Sequence, residues 1–293
     1  MAIDVPRIGA APERVVAHRR SLIGRVVASV GGRIADPGDR ASRDPRAILG
    51  VAASSQFRDA LAVGAHVEVP IASRALAAAR DLRIAEAFEH TLVARGHRVL
   101  DLGYAHGTLA CAAARQGAHV TALVRDTAEA EVVRFRVAAM DLDHLVEVVI
   151  GGLADVHGTY DVVVGMEALS GLAQAEVPGL LARVLDRLAP AGGGYLDGVV
   201  AVESVGAGFA TVRGLRKALA AQGSATQTSV ELGSTAYLTE LEAAAGDAGE
   251  GPGGTLTEIA DAVASGLLAH ARLVLTRQPV LLDAEPYLHT ALL

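Results

Sequence analysis

The 293-residue chain has one cysteine, one lysine, no tryptophan and few aromatic residues. A lone Cys111 excludes an internal disulfide and any multi-cysteine metal site. It falls on the apolar face of a predicted helix, where a thiol serves packing. With tryptophan absent and aromatics at only 3 %, the stacking platforms that grip single-stranded nucleic acid are excluded, and no nucleic-acid partner is expected. No uninterrupted apolar run approaches the roughly 18 residues of a transmembrane helix. The start, Met1-Ala-Ile-Asp-Val-Pro-Arg7, lacks a charged segment leading into an apolar signal core, so a soluble cytoplasmic protein is expected. The ten histidines show no H-x-H or H-x-x-x-H spacing, and no metal site is predicted. A G-x-S-x-G elbow and a lysine-bearing phosphate loop are also missing.

Hydrophobic residues make up 51 % of the chain, ample for a large core, and one α/β domain with an N-terminal extension is the expected organisation. Net charge is −7, yet residues 1–50 hold nine Arg against five Asp/Glu, giving +4 there and −11 over the remainder. Such an arm can meet an acidic partner, a lipid headgroup or its own acidic body, or remain solvated.

Within residues 1–50 a helix is predicted over Glu13 to Val30, followed by a loop. A second begins at Ser73, a plausible N-cap, and runs over 73–95, its apolar side carrying Leu76, Ala79, Leu82, Ile84, Ala87, Phe88 and Leu92. Alternation then becomes regular. Strands are predicted at 98–102, 119–124, 145–150, 160–166 and 194–202, and helices at 107–116, 127–139 and 176–188. Pro190-Ala-Gly-Gly-Gly194 reads as the turn before the fifth strand. A helix at 211–222 and strands at 225–232 and 269–276 follow, with Gly246 to Gly254 as a flexible loop. The pattern predicts a mainly parallel seven-stranded sheet flanked by helices.

The segment Arg98-Val-Leu-Asp-Leu-Gly-Tyr-Ala-His-Gly-Thr-Leu-Ala110 is the most informative. A buried strand ends at Gly103, a turn follows, and the helix after Gly107 offers unpaired N–H groups to a ligand.

These residues also carry a family resemblance. Ser73 to Leu82 with Arg98 to Gly103, then Gly158-Thr-Tyr-Asp-Val-Val-Val-Gly-Met-Glu-Ala-Leu169, then Val184 to Gly193, resemble S-adenosylmethionine-dependent methyltransferases. The resemblance is to the cyclopropane-fatty-acyl-phospholipid synthase and mycolic acid methyltransferase group, over about two-thirds of the chain. It implies a Rossmann-like methyltransferase fold over 73–293, with 1–72 an N-terminal helical extension and cap. It further implies a cofactor cleft framed by Asp101, Gly103, Ala105, Gly107, Val124 and Gly152, with S-adenosylmethionine as cofactor. Glu167 matches the glutamate that helps hold a bicarbonate base in that group, and Tyr237, in Gly233 to Leu241, matches its active-site tyrosine at an offset of one residue.

Several positions depart from the group. Ala105 and His106 stand where the loop would be glycine-rich, Val124 where an acid would hold the ribose, and Gly151-Gly152 where an acid would reach the adenine. Asp126 could replace the ribose acid only if the register slipped by two, while Asp155 is expected to point elsewhere. Tyr104 and His106 are either new catalytic groups or filler in the cleft. Three functions therefore remain open: a methyltransferase acting on an acyl lipid or hydrophobic small molecule, an inactive partner of an active paralogous subunit, and a cofactor-independent enzyme on the same fold.

Overall fold

The computed structural model describes residues 44–62, 73–202, 208–222, 226–249 and 252–277. The predicted helix at Glu13 to Val30 lies outside them. Asp44–Leu293 forms one compact unit.

Its elements are α1 (Pro45–Ala52), α2 (Ser55–Leu61), α3 (Arg74–Thr91), β1 (Arg98–Asp101), α4 (Thr108–Arg115), β2 (His119–Val124), α5 (Thr127–Ala139), β3 (Val146–Ile150), β4 (Tyr160–Gly165), α6 (Val177–Arg187), β5 (Leu188–Ala201), α7 (Val212–Ala220), β6 (Thr226–Leu232), α8 (Thr235–Ala248), α9 (Pro252–Ala264) and β7 (Leu268–Arg277). The strands form one seven-stranded sheet in the order β3-β2-β1-β4-β5-β7-β6. Strands β1 to β5 pair in parallel, and β7 is antiparallel to both β5 and β6. This is the expected Rossmann-like fold.

Strand alternation divides the core in two. Val99, Val162 and Val164 face a cluster closed by α1 to α5, α8 and α9, while Leu100 and Val163 face one closed by α6 and α7. Burial on both faces explains why these strands read as continuous apolar runs.

Three expectations need correction. The Pro190 to Gly194 segment is no turn: β5 runs through it, with a pairing irregularity opposite Tyr160/Val162 and Ala191 at φ +64°. The stretch read as a flexible loop belongs mostly to α8 and α9, which pack against each other. In α3, Leu82 and Leu92 are exposed, and Arg80 and Arg83 occupy the inward face instead. Ser73 is the N-cap as predicted, its hydroxyl accepting from Leu76 N at 3.2 Å.

Candidate functional site

Consecutive parallel strands run outward from β1 to β2 and β3 on one side, and the chain returns to place β4 on the other. At such a switch point the loops beyond the strand ends separate and leave a crevice. A cavity of about 250 Å3 lies there, between the ends of β1, β2, β3 and β4 and the helix α2. Among the expected cofactor residues, Gly103, Ala105, Val124 and Gly152 line it.

Two glycines fix the backbone of the loop beside the cavity. Gly103 has φ +94°, and a Cβ there would come within 2.9 Å of the Leu123 carbonyl oxygen. Gly107, expected in the cleft, does not line the cavity: it has φ +78° and caps α4, and its Cβ would come within 2.8 Å of Val133. Between them Ala105 and His106 adopt left-handed φ of 45° and 48°. Glu167 does the same at 62°, so three of the six non-glycine residues with positive φ among the described residues border this cavity. Backbone strain of this kind is retained where a function requires the geometry.

Asp101 does not line the cavity. It is buried beneath the loop, where its Oδ1 accepts from Gly103 N at 2.9 Å. Burial pushes its pKa up to about 7 despite backbone hydrogen bonds that oppose the shift. It therefore supports the loop from below.

No acid stands at the end of β2 itself. Val124 closes the strand, and Asp126 caps α5 by accepting from Glu129 N at 2.9 Å, so the register has not slipped. Glu129, in the first turn of α5, places in the cavity wall a carboxylate that sequence reasoning missed. Its Oε2 accepts from Arg125 N at 2.9 Å and Arg125 Nε at 3.1 Å, and its Oε1 lies 3.4 Å from His106 Nδ1. Burial acts to raise its pKa, but His106 and Arg125 outweigh it and hold it at about 2. The signal was present as an acid five residues past Val124, hidden because the strand end was the position searched. After β3, Asp155 turns back to accept from Gly152 N at 2.9 Å, away from the cavity.

Tyr104 and His106 leave the cleft open. Tyr104 turns inward and donates to Glu240, and His106 lies against Glu129 on the wall.

Behind the cavity lies a buried charge cluster centred on Arg83, which has no exposed side-chain surface. Its Nη2 donates to Glu167 Oε1 at 2.5 Å and to Asp197 at 2.9 and 3.0 Å, and its Nη1 donates to Glu240 Oε2 at 2.7 Å. Arg80 Nε is 3.5 Å from Glu240. The guanidinium of Arg83 also sits 4.7 Å from the ring centre of Tyr237, which stacks on His270 at 4.0 Å. Thus the two candidate catalytic residues, Glu167 and Tyr237, meet around an arginine whose burial no local pattern signals. The Tyr237 hydroxyl is buried with no hydrogen-bond partner. Burial and the Asp197 charge raise the pKa of Glu167 against the pull of Arg83 and Ser170, while Arg83 and His270 overcome burial to hold Asp197 below the usual carboxylate range.

A bicarbonate ion does not fit these residues. Both oxygens of Glu167 already accept bonds, from Arg83 and from the Ser170 hydroxyl. Arg83 and Arg80 are already paired with Glu167, Asp197 and Glu240, and His270 Nε2 lies 3.5 Å from Asp197, so the cations of this cluster are taken up by its own carboxylates.

Residues 65–212 match the family described as mycolic acid cyclopropane synthetase. The chain belongs to that family. Tuberculostearic acid methyltransferase UfaA1 of Mycobacterium tuberculosis is 33 % identical over 117 residues, which are 40 % of this chain and 27 % of that protein. The chain thus spans about a quarter of the length of this curated relative. Among solved structures, the cyclopropane synthase MmaA2 from Mycobacterium tuberculosis superposes with a TM-score of 0.60 at 16 % identity, over 78 % of this chain and 95 % of that one. The mycolic acid cyclopropane synthase CmaA1, complexed with SAH and CTAB, gives 0.58 at 14 % identity over 68 % and 84 %. The [4+2]-cyclase SpnF gives 0.56 at 18 % identity over 68 % and 81 %. These likenesses establish the methyltransferase fold. No helix among the described residues is long and apolar enough to cross a membrane.

Proposed function

We propose that the protein is an S-adenosylmethionine-dependent methyltransferase acting on an acyl lipid or similar hydrophobic molecule. The observation that carries this reading is the open cavity at the switch point, lined by Gly103, Gly151 and Gly152 and walled by an ionised Glu129. The loop from Gly103 to Gly107 would hold the amino-acid end of the cofactor, Glu129 the ribose hydroxyls through charge-assisted hydrogen bonds, and Gly151-Gly152 the space beside the adenine. When bound, the cofactor supplies a methyl group on a sulfonium. The remainder of the wall is mostly apolar, with Leu61, Ala62, Met166, Ala168 and Leu180, and this surface excludes water and receives a hydrocarbon. Methyl transfer asks mainly for alignment in a dry pocket, which these residues provide.

Isothermal titration with S-adenosylhomocysteine tests the reading. The expected result is micromolar binding, weakened about tenfold or more in Glu129→Gln, since a hydrogen bond to a charged group contributes roughly 1.5–3 kcal/mol. Absence of binding at millimolar ligand would overturn it and favour the partner-subunit reading.

A further inference from the structure

The Gly103 to Gly107 loop carries non-glycine residues in a shape that glycine usually supplies. Ala105 and His106 take left-handed φ of 45° and 48°, and such backbone persists only where the surroundings over-determine it. Some of that support is local: Gly103 N donates to Asp101 Oδ1 at 2.9 Å, Gly107 N to the Tyr104 carbonyl at 3.1 Å, and the Thr108 hydroxyl to the Ala105 carbonyl at 2.7 Å. From α5, Arg136 Nη1 also donates to the Ala105 carbonyl, at 3.3 Å, and Glu129 faces His106. The inward tie is Tyr104. Its ring is buried, its hydroxyl donates to Glu240 Oε1, 136 residues further along in α8, and the Arg83 guanidinium lies 5.3 Å from its ring centre. Burial and the Glu240 charge push the Tyr104 pKa well above its ordinary value, so the phenol remains a donor. Glu240 is held in turn by Arg83 Nη1 at 2.7 Å, with Arg80 Nε 3.5 Å away, and it has no exposed side-chain surface and no part in the cavity lining.

We propose, resting on the methyltransferase reading above, that Tyr104 and Glu240 are positioning residues for the cofactor: their buried bond ties the Gly103 to Gly107 loop to α8 and holds it in its ligand-binding shape before any ligand arrives. A phenol donating to a carboxylate away from water makes a strong, directional bond. Glu240 cannot follow a moving loop, because Arg83 and Arg80 hold it from α3. A loop fixed in advance loses little conformational freedom on binding, so the same contacts give higher affinity. Side chains at 105 and 106 fit this arrangement, since a loop clamped from within has no use for the freedom of glycine at those positions. Tyr104 therefore acts on the cofactor through the backbone it anchors, and Glu240 acts only through Tyr104.

Hydrogen exchange of peptides covering residues 103–108, measured on the full-length protein without ligand, tests the anchor, and titration with S-adenosylhomocysteine tests its effect. Tyr104→Phe removes the hydroxyl while leaving the ring beside Arg83 and both arginines on Glu240. Wild type should protect the loop, and Tyr104→Phe should exchange there at least about tenfold faster, as loss of a hydrogen bond to a charged group requires, with peptides from β4 and β5 unchanged. S-adenosylhomocysteine should bind the variant at least about tenfold more weakly, and at saturation should restore slow exchange in the loop. Glu240→Gln, which leaves Tyr104 an uncharged acceptor, should move both readouts the same way by a smaller factor, and serves alone if Tyr104→Phe does not fold. Faster exchange spread over the whole molecule, or a loosened loop with undiminished affinity, would make the pair an ordinary packing contact and overturn the proposal. So would a wild-type loop that exchanges at the rate of an unstructured chain, or variants that leave its exchange unchanged. Failure of S-adenosylhomocysteine to bind wild type removes the methyltransferase reading, while the ligand-free exchange still judges the anchor.

Discussion

Asp101 lies buried under the loop beside the cavity, its Oδ1 accepting from Gly103 N at 2.9 Å. Burial raises its pKa to about 7, so the folded protein binds this proton far more tightly than the unfolded chain, whose aspartates titrate near pH 4. The native state therefore holds more protons between about pH 4 and 7. The contribution to stability is complete below that window and is lost as pH rises through it, amounting to roughly 4 kcal/mol at most. Asp101→Asn removes the ionisation, and the expected outcome is a variant that gains stability relative to wild type as pH is raised from 5 to 8 in urea unfolding. A constant difference between the two proteins would show that Asp101 titrates normally. At this scale the sequence revealed much of the cleft and little of the cluster behind it. Gly103 and Gly107 were legible because a strand, a turn and a helix follow one another locally. Arg83 was not, because its acidic partners lie 84, 114 and 157 residues away and a charged residue in a helix is by default assigned to solvent.

Helix α3 carries Arg80 and Arg83 inward from opposite the cavity, so its position along the sheet sets the cluster. Its first turn is fixed by Ser73, whose hydroxyl accepts from Leu76 N while its backbone N–H donates to Asp247 Oδ2 of α8 at 2.7 Å. Ser73→Ala removes the cap and leaves that backbone bond in place. It should lower unfolding free energy by about 1 kcal/mol, with Ser73→Asp retaining most of it. Chemical denaturation of the three proteins measures this directly, and an unchanged midpoint for Ser73→Ala would show that the cap does not stabilise the helix. The same local logic explains which elements were legible. Strand β2 and helix α5 match their predicted bounds because apolar periodicity and caps act within a few residues. The Pro190 to Gly194 stretch misled because its glycines resemble a turn, whereas in the fold they allow β5 to pass close to neighbouring backbone: a Cβ at Gly192 would lie 2.9 Å from the Ala189 oxygen. Helix α9 was missed because Pro252-Gly-Gly254 starts it, and only tertiary packing of Leu256 and Ile259 against the core makes those residues helical.

At the scale of the whole molecule, the sheet and the cavity belong to one compact unit, Asp44–Leu293. The walls of the cavity come from the ends of four strands and from α2, so a ligand in it touches segments that are distant in sequence but share one core. Binding energy must then appear as global stability rather than as the ordering of one loop. A ligand at about 100 times its dissociation constant stabilises the native state by about 2.7 kcal/mol. In a unit of this size each kcal/mol moves the melting temperature by about 2–4 °C, so S-adenosylhomocysteine at that excess should raise it by about 5–10 °C in one cooperative transition. Glu129→Gln should need at least about tenfold more ligand for the same rise, because the lost hydrogen bond acts through affinity. Glu167→Gln should reproduce the wild-type rise, since the Glu167 carboxylate is held by Arg83 and Ser170 and is not part of the Glu129 wall. Calorimetric scans of the three proteins across a ligand series distinguish these outcomes. A rise abolished in both variants would mean that Glu129 and Glu167, both in the cavity lining, act on the ligand as one unit.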